Sequence, residues 1–458
     1  MRLSEGTMPQ LPRGVDLPSY DRSAVPGIVH FGIGAFHRAH QAAFTDGCNR
    51  DGGAPWMITG VSMRSATVAD QLNPQDGLYT LTERSAEGEA TRVIGSVAEV
   101  LVAGNDRDTI VARLADDHCH VVTFTVTEKG YCRASDGSLD LGLAAQGFYP
   151  ILSDALAQRR DAGSGGLSLL SCDNLSGNGK QLGRLMREWI DARAPDLRGW
   201  FDSHCTTPDS MVDRIVPAPS AADLDALEQR IGLRDEGAIF AERFTQWVVE
   251  DDFAGPRPAW ETQGVQIVSD VAPYETAKLR MLNGAHSLLA YAGLDAGYTY
   301  VHEAIADPQL RAMVQRLMLE EAAPTIEAGE GQDLGAYAAQ LVTRFENPAL
   351  NHRLNQIAMD GSQKIGQRWL EVLAEQDGGE GGHCDAILTG IAHWLHHASG
   401  KARSVDDPKA DDLQAACACG IEPATLDAIF GRSGIVQSSW KPSQPEIDFI
   451  LAKWRELA

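Results

Sequence analysis

The sequence predicts an α/β fold: an N-terminal Rossmann-like dinucleotide-binding domain followed by a mostly α-helical C-terminal domain. Three observations carry this. An apolar run ends on two closely spaced glycines near the N-terminus. Further apolar and β-branched runs alternate with helix-compatible stretches through the first half, the pattern of a parallel sheet covered by helices. From about residue 275 onward the strand pattern gives way to helical runs broken by proline and glycine. A chain of 458 residues exceeds what one hydrophobic core usually serves. Two domains are therefore expected, over 1–274 and 275–458, with the active site in the cleft between them.

The first strand is Gly27-Ile-Val-His-Phe31, and it runs into Gly32-Ile33-Gly34-Ala35-Phe36 and a helix-compatible stretch through Phe44. In a dinucleotide fold this turn lets backbone amides approach a pyrophosphate, and Gly32 and Gly34 supply the needed freedom. His37 stands where a third glycine would complete the fingerprint, so a tight structural turn is the competing reading. The next strands are Trp56 to Met63, Val121 to Thr127, and Leu167 to Cys172, the last ending at Asp173-Asn174. At the end of the second strand an acid usually binds the ribose 2′-hydroxyl of NAD, or an arginine meets the 2′-phosphate of NADP. Here the chain reads Met63-Arg64-Ser65-Ala66-Thr67, with the nearest acid at Asp70, so NADP stays open beside NAD. Leu310 to Ala322, Leu334 to Phe345 and Ala386 to His397 read as helices, with breaks at Pro308, Pro324, Pro348 and the glycine-rich run from Asp377 to Gly382.

Chemistry concentrates in Pro273-Tyr-Glu275-Thr-Ala-Lys278-Leu-Arg-Met-Leu-Asn283-Gly-Ala-His286. Read as an α-helix, at roughly 100° per residue, it puts Glu275 and His286 between Lys278 and Asn283 within an arc of roughly 140°. Four polar groups on one face are costly to bury in a packed core, which points to a cleft. There a partly desolvated lysine can exchange protons near neutral pH, and an asparagine can hold a substrate oxygen. The competing reading of Lys278 is a surface lysine with its stem laid along apolar neighbours. Asn174 could instead cap the following helix, and Asp213 could pair with Arg214.

The 63 acidic against 39 basic side chains give a formal charge of -24, which argues against general nucleic-acid binding. No apolar run approaches the ~20 residues that span a bilayer, and the N-terminus lacks a signal-peptide core, so a cytoplasmic address is expected. The eight cysteines are scattered and read as reduced thiols. His383-Cys384, His393, His396, His397 and Cys417-Ala-Cys419 lack the tight paired spacing of a structural zinc site, and no metal is expected.

Seven ordered motifs resemble the polyol-specific long-chain dehydrogenase/reductase family over nearly the whole chain. They are His30 to Gln41, Thr125 to Cys132, Ser171 to Leu175, Met211 to Ile215, Gln246 to Asp251, Lys278 to His286, and Asp360 to Lys364. The resemblance implies a metal-independent, NAD-dependent oxidoreductase with Lys278 as acid/base. Asn174 and Asn283 would hold the reacting oxygen, His286 would orient substrate, and Glu275 would relay protons. Its cofactor residues would be Gly32, Ile33, Gly34, Ala35, Phe36 and Arg38, with Arg64 beyond the second strand. Asp213 and Lys364 would contact substrate. Within the family, Glu128-Lys129-Gly130 and Met359 to Arg368 look more like the fructuronate reductases. The implied reaction interconverts D-fructuronate and D-mannonate, with Lys129, Lys364 or Arg368 available for the carboxylate. A ketose/polyol dehydrogenase and a non-catalytic nucleotide-binding regulator are the alternatives. The expected partner is a small sugar acid or polyol.

Overall fold

The computed structural model describes residues 1–376 and 384–457. The glycine-rich break from Asp377 and His383 lie outside the described residues. The chain forms two compact units, Met1–Ala272 and Pro273–Ala458.

The first unit contains eleven strands: β1 (Pro26–Phe31), β2 (Met57–Ser62), β3 (Tyr79–Ser85), β4 (Gly88–Ile94), β5 (Val97–Val102), β6 (Val121–Phe124), β7 (Ser168–Ser171), β8 (Ser210–Asp213), β9 (Ile239–Glu242), β10 (Gln246–Glu250) and β11 (Gln266–Val268). Five form a parallel sheet in the order β5-β2-β1-β6-β7. The order reverses direction between β1 and β6, and that switch point is where open α/β sheets bind ligands. Successive side chains of a strand face opposite ways, and here both faces are buried. Val29, Phe31, Val122, Phe124 and Leu169 join one apolar cluster, while Ile28, Val121 and Leu170 join another. That is why these strands read as unbroken apolar runs rather than alternating ones.

Two three-stranded sheets complete the unit, in the orders β11-β10-β8 and β4-β3-β9. In the first, β8 and β10 pair antiparallel with Asp213 opposite Gln246, so two of the seven motifs are neighbours in space.

The second unit is helical. Leu334–Phe345 and Asp385–Ala398 are α-helices. Pro308 starts a helix, Pro308–Arg316, rather than breaking one, because Asp307 accepts from the Gln309 and Leu310 amides and a proline is tolerated in the first turn. The helix that carries the polar stripe is not uniformly α. Ala272–Ala277 is α, Lys278–Asn283 is π, and Gly284–Asp295 is α again. Leu317–Ala322 and Gly366–Leu370 are also π, and both pack on Lys278–Asn283. Among the described residues no helix is long and apolar enough to cross a membrane.

Candidate functional site

At the C-terminal ends of β1, β2 and β6 the first unit opens a cavity of about 670 Å3, lined among others by Gly32, Ile33, Gly34, Arg64, Thr125 and Lys129. Gly32 makes this turn possible. Its φ is +95° and a Cβ there would lie 2.2 Å from the Thr125 carbonyl oxygen. Gly34 is different: its backbone is extended, with φ -84°, and a Cβ would meet nothing closer than 3.7 Å. The turn therefore requires one glycine, and the second keeps the cavity wall clear. Room for a ligand at a switch point, beside a side-chain-free backbone, fits a dinucleotide.

Downstream of Gly34 the chain enters the short helix Ala35–Ala39. Ala35, Phe36 and Arg38 do not line the cavity. Ala35 and Phe36 pack on an apolar cluster. Arg38 is buried, its Nη1 donates to Gly237 O at 2.7 Å, and it lies over the Tyr79 ring, so it braces the fold. Beneath the turn His30 and His37 stack with ring centroids 3.4 Å apart, both fully buried. Burial holds His30 down to about pKa 3, and burial together with the neighbouring His30 holds His37 well below its ordinary value.

Asp173 follows β7 and is buried. Its carboxylate accepts the Val126 and Thr127 amides at 3.0 and 2.9 Å and the Tyr131 hydroxyl at 2.9 Å. These bonds hold Thr127 at a φ of +65° on the cavity wall. Burial pushes this carboxyl up despite them. Asn174 follows, exposed, at the end of β7. It does not cap the next helix, which starts at Asn178 with Gly177 as N-cap and no side-chain bond. Asp213 is buried at the end of β8, and Arg214 ion-pairs with Glu83 at 2.5 Å.

In the second unit Lys278 and His286 are 8 % and 9 % exposed, while Glu275 and Asn283 are half-buried. The π segment changes their geometry. Five residues on, an α-helix leaves two side chains roughly 140° apart. A π turn closes its ring i→i+5, so Asn283 stands closer in angle to Lys278 than a uniform α-helix would put it. Arg280, on the same segment, donates to both Glu375 carboxylate oxygens at 2.6 and 2.5 Å and to the Thr325 carbonyl, and so anchors the segment. At its exit Arg368 donates to Asn283 O at 3.4 Å and Ser287 Oγ at 2.8 Å, and Trp369 Nε1 to Gly284 O at 3.1 Å.

His286 lies against Phe345 and His352, with centroids at 4.7 and 5.2 Å. Burial, then the nearby His352, Arg344 and Arg368, keeps the His286 imidazole neutral well below its ordinary pKa. Lys364 donates to Met359 O at 2.6 Å, 3.8 Å from the Asp360 carboxylate, and burial with the nearby Arg368 lowers its pKa. Burial brings the Arg368 guanidinium down to about 10. Lys129 lines the cavity of the first unit. The sequence reading missed Ser287, His352 and Arg344, because a serine, a histidine and an arginine on separate elements carry no spacing signal.

His393 and His396 both turn Nδ1 onto the Asp295 carboxylate, at 2.7 and 3.0 Å, and Arg403 joins at 2.6 Å. Arg403 ion-pairs with Asp295, and the two imidazoles hydrogen-bond the same carboxylate.

Residues 26–262 match the mannitol dehydrogenase Rossmann domain and residues 270–426 the mannitol dehydrogenase C-terminal domain. The chain is 40% identical to the uncharacterised oxidoreductase YeiQ of Escherichia coli K12 over 427 residues, which are 88% of this chain and 86% of that protein. It is 37% identical to the D-mannonate oxidoreductase of the same organism over 464 residues, 96% and 95% of the two chains. Among solved structures, a substrate-free D-sorbitol dehydrogenase superposes with a TM-score of 0.91 at 31% identity, covering 99% of this chain and 98% of that one. The ternary complex of Pseudomonas fluorescens mannitol 2-dehydrogenase with NAD and D-mannitol superposes at 0.80 and 32%, covering 100% and 96%. With a dinucleotide cavity at its switch point and both family domains in order, this chain belongs to the mannitol dehydrogenase family of NAD-dependent oxidoreductases.

Proposed function

We propose that the protein interconverts D-fructuronate and D-mannonate. The observation that favours a carboxylate-bearing substrate is Arg368: a half-buried guanidinium whose only hydrogen bonds go to a carbonyl and a hydroxyl, with no ion pair among the described residues. Lys364 stands one helical turn before it. A buried cation without a carboxylate is costly, and a uronate would supply the missing charge through a bidentate bond.

A dinucleotide held over Gly32 and Gly34 in the cavity would supply a hydride to the ketone carbon in the reduction direction. Lys278 ammonium donates the proton to the oxygen as negative charge grows there, and the amides of Asn283 and Asn174 hold that oxygen. The neutral His286 imidazole orients a substrate hydroxyl. Glu275, one turn before Lys278, returns a proton to the lysine, and Asp213 holds a further hydroxyl. Fructose/mannitol chemistry is the rival reading, since a family member is known with D-mannitol bound. Oxidation of NADH with fructuronate, tagaturonate and fructose decides between them. Good turnover of fructose with none of either uronate rejects the uronate assignment.

A further inference from the structure

We propose that Asp173 is a positioning residue for the dinucleotide, holding residues 126–132 of the cavity wall in a strained form ready to receive it. This rests on the cavity being the dinucleotide site. Among the described residues five that are not glycine have a positive φ: Asp76, Thr127, Cys132, Asn351 and Asp360. Asp and Asn tolerate the left-handed region because their short side chains bond the local backbone, whereas a β-branched residue there is an outlier. Thr127 and Cys132, at +65° and +54°, lack that compensation, and both line the cavity. The backbone strain therefore falls at two ends of one stretch in the wall of a ligand site.

Strain of this kind persists only where the surrounding contacts over-determine it. Asp173 supplies those contacts. One carboxylate oxygen accepts the Thr127 amide at 2.9 Å, and the other accepts the Val126 amide at 3.0 Å and the Tyr131 hydroxyl at 2.9 Å. Tyr131 is fully buried and its carbonyl accepts the Tyr149 hydroxyl at 2.9 Å, so the far end of the stretch is tied to the same carboxylate. The near end is tied to the glycine turn. Thr125 donates its amide to Phe31 O at 2.9 Å and its hydroxyl to Gly32 O at 2.7 Å. With that proton committed, Thr125 Oγ1 accepts from His30 Nε2 at 2.9 Å, and His30 Nδ1 in turn accepts the Thr123 hydroxyl at 2.7 Å. The wall is thus formed before a ligand arrives, and binding is spared the cost of ordering it.

The test is equilibrium binding of NADH to the full chain, at a temperature where circular dichroism shows every variant folded, so that a loss of stability alone does not move Kd. Asp173→Asn keeps the shape of the side chain but turns an amide nitrogen, which cannot accept, toward one of its donors. Kd should rise about ten-fold, the loss of one charge-assisted bond. In a Thr127→Gly background a left-handed φ carries no side-chain penalty. There the same substitution should raise Kd by no more than about three-fold, a coupling that a general loss of packing does not produce. If Asp173→Asn does not fold, Tyr131→Phe takes its place, with Kd expected to rise about three-fold for the loss of one neutral donor. An unchanged Kd in the variant measured, or an equal rise in the two backgrounds, overturns the proposal and leaves the cavity assignment intact. A parent chain that does not bind NADH overturns both.

Discussion

The two units prepare for ligands in opposite ways. The N-terminal cavity is built from backbone: a glycine at φ +95°, a strained Thr127 held by Asp173, and cations left at the open rim. The helical unit uses side chains, with Lys278, Asn283 and His286 presented from a helix and braced by Arg280, Arg368 and Trp369. A backbone site tolerates change in most of its side chains but little in its turn. A side-chain site has the reverse sensitivity, and paired substitutions can expose the contrast.

The largest effect belongs to Lys278→Ala. Turnover should fall by about 10²–10⁴-fold while the Kd for NADH, measured separately, changes little. A loss of NADH affinity as large as the loss of turnover would erase the distinction between the units. Next come the two glycines. Gly32→Ala should cost about 2 kcal/mol or more in stability and abolish tight dinucleotide binding, because the new Cβ meets the Thr125 carbonyl. Gly34→Ala should leave the melting temperature nearly unchanged and affect only dinucleotide affinity. Equal destabilisation by both would refute the one-glycine account.

A smaller, selective effect is expected from Arg368→Gln. KM for fructuronate should rise by about ten-fold or somewhat more, the worth of a charge-assisted bond, with kcat/KM for any neutral ketose nearly unaffected. A parallel loss on both substrates would make Arg368 a brace for the π segment only. The smallest effect lies at the far end of the His286 helix. Burial pushes the Asp295 carboxyl up, but its bonds to His393 and Arg403 outweigh this and hold it below the ordinary value of 3.8. A carboxylate depressed in the folded state stabilises fully above its unfolded pKa and loses that contribution as pH falls through the folded one. Asp295→Asn should therefore cost about 1–2 kcal/mol at pH 7, with the gap to the parent closing below about pH 4. A gap that persists into acid would indicate lost packing rather than lost charge.

Much of the first unit was legible in the sequence because a parallel sheet buried on both faces leaves continuous apolar runs. β1, β2, β6 and β7 all stand where those runs are. The Val121 to Thr127 run overshoots, since Asp173 captures the Val126 and Thr127 amides and turns the chain after Phe124. The smaller sheets were not foreseen: β3 and β4 mix apolar with charged residues, as in Thr82-Glu83-Arg84, and only pairing gives them their form. Arg38 was named as a cofactor residue by resemblance alone, and its burial and its bond to the Gly237 carbonyl are not readable from the motif. In the polar stripe residue identities were readable and angular positions were not, because nothing in Lys278 to Asn283 marks where hydrogen bonding changes from i→i+4 to i→i+5.

That change of pitch has a consequence for how the gene can vary. A π turn holds one more residue than the α turn it replaces. Deleting a single residue between Lys278 and Asn283 would return the segment to α pitch, leaving Gly284–Asp295 near its present direction while changing the angle between the Lys278 and Asn283 side chains. Substitutions at Leu279 or Met281 disturb packing locally, whereas a one-codon deletion changes how Lys278 and Asn283 are presented together. Insertions and deletions should be far rarer than replacements in this stretch, and a library of single-codon deletions across it should be almost uniformly inactive.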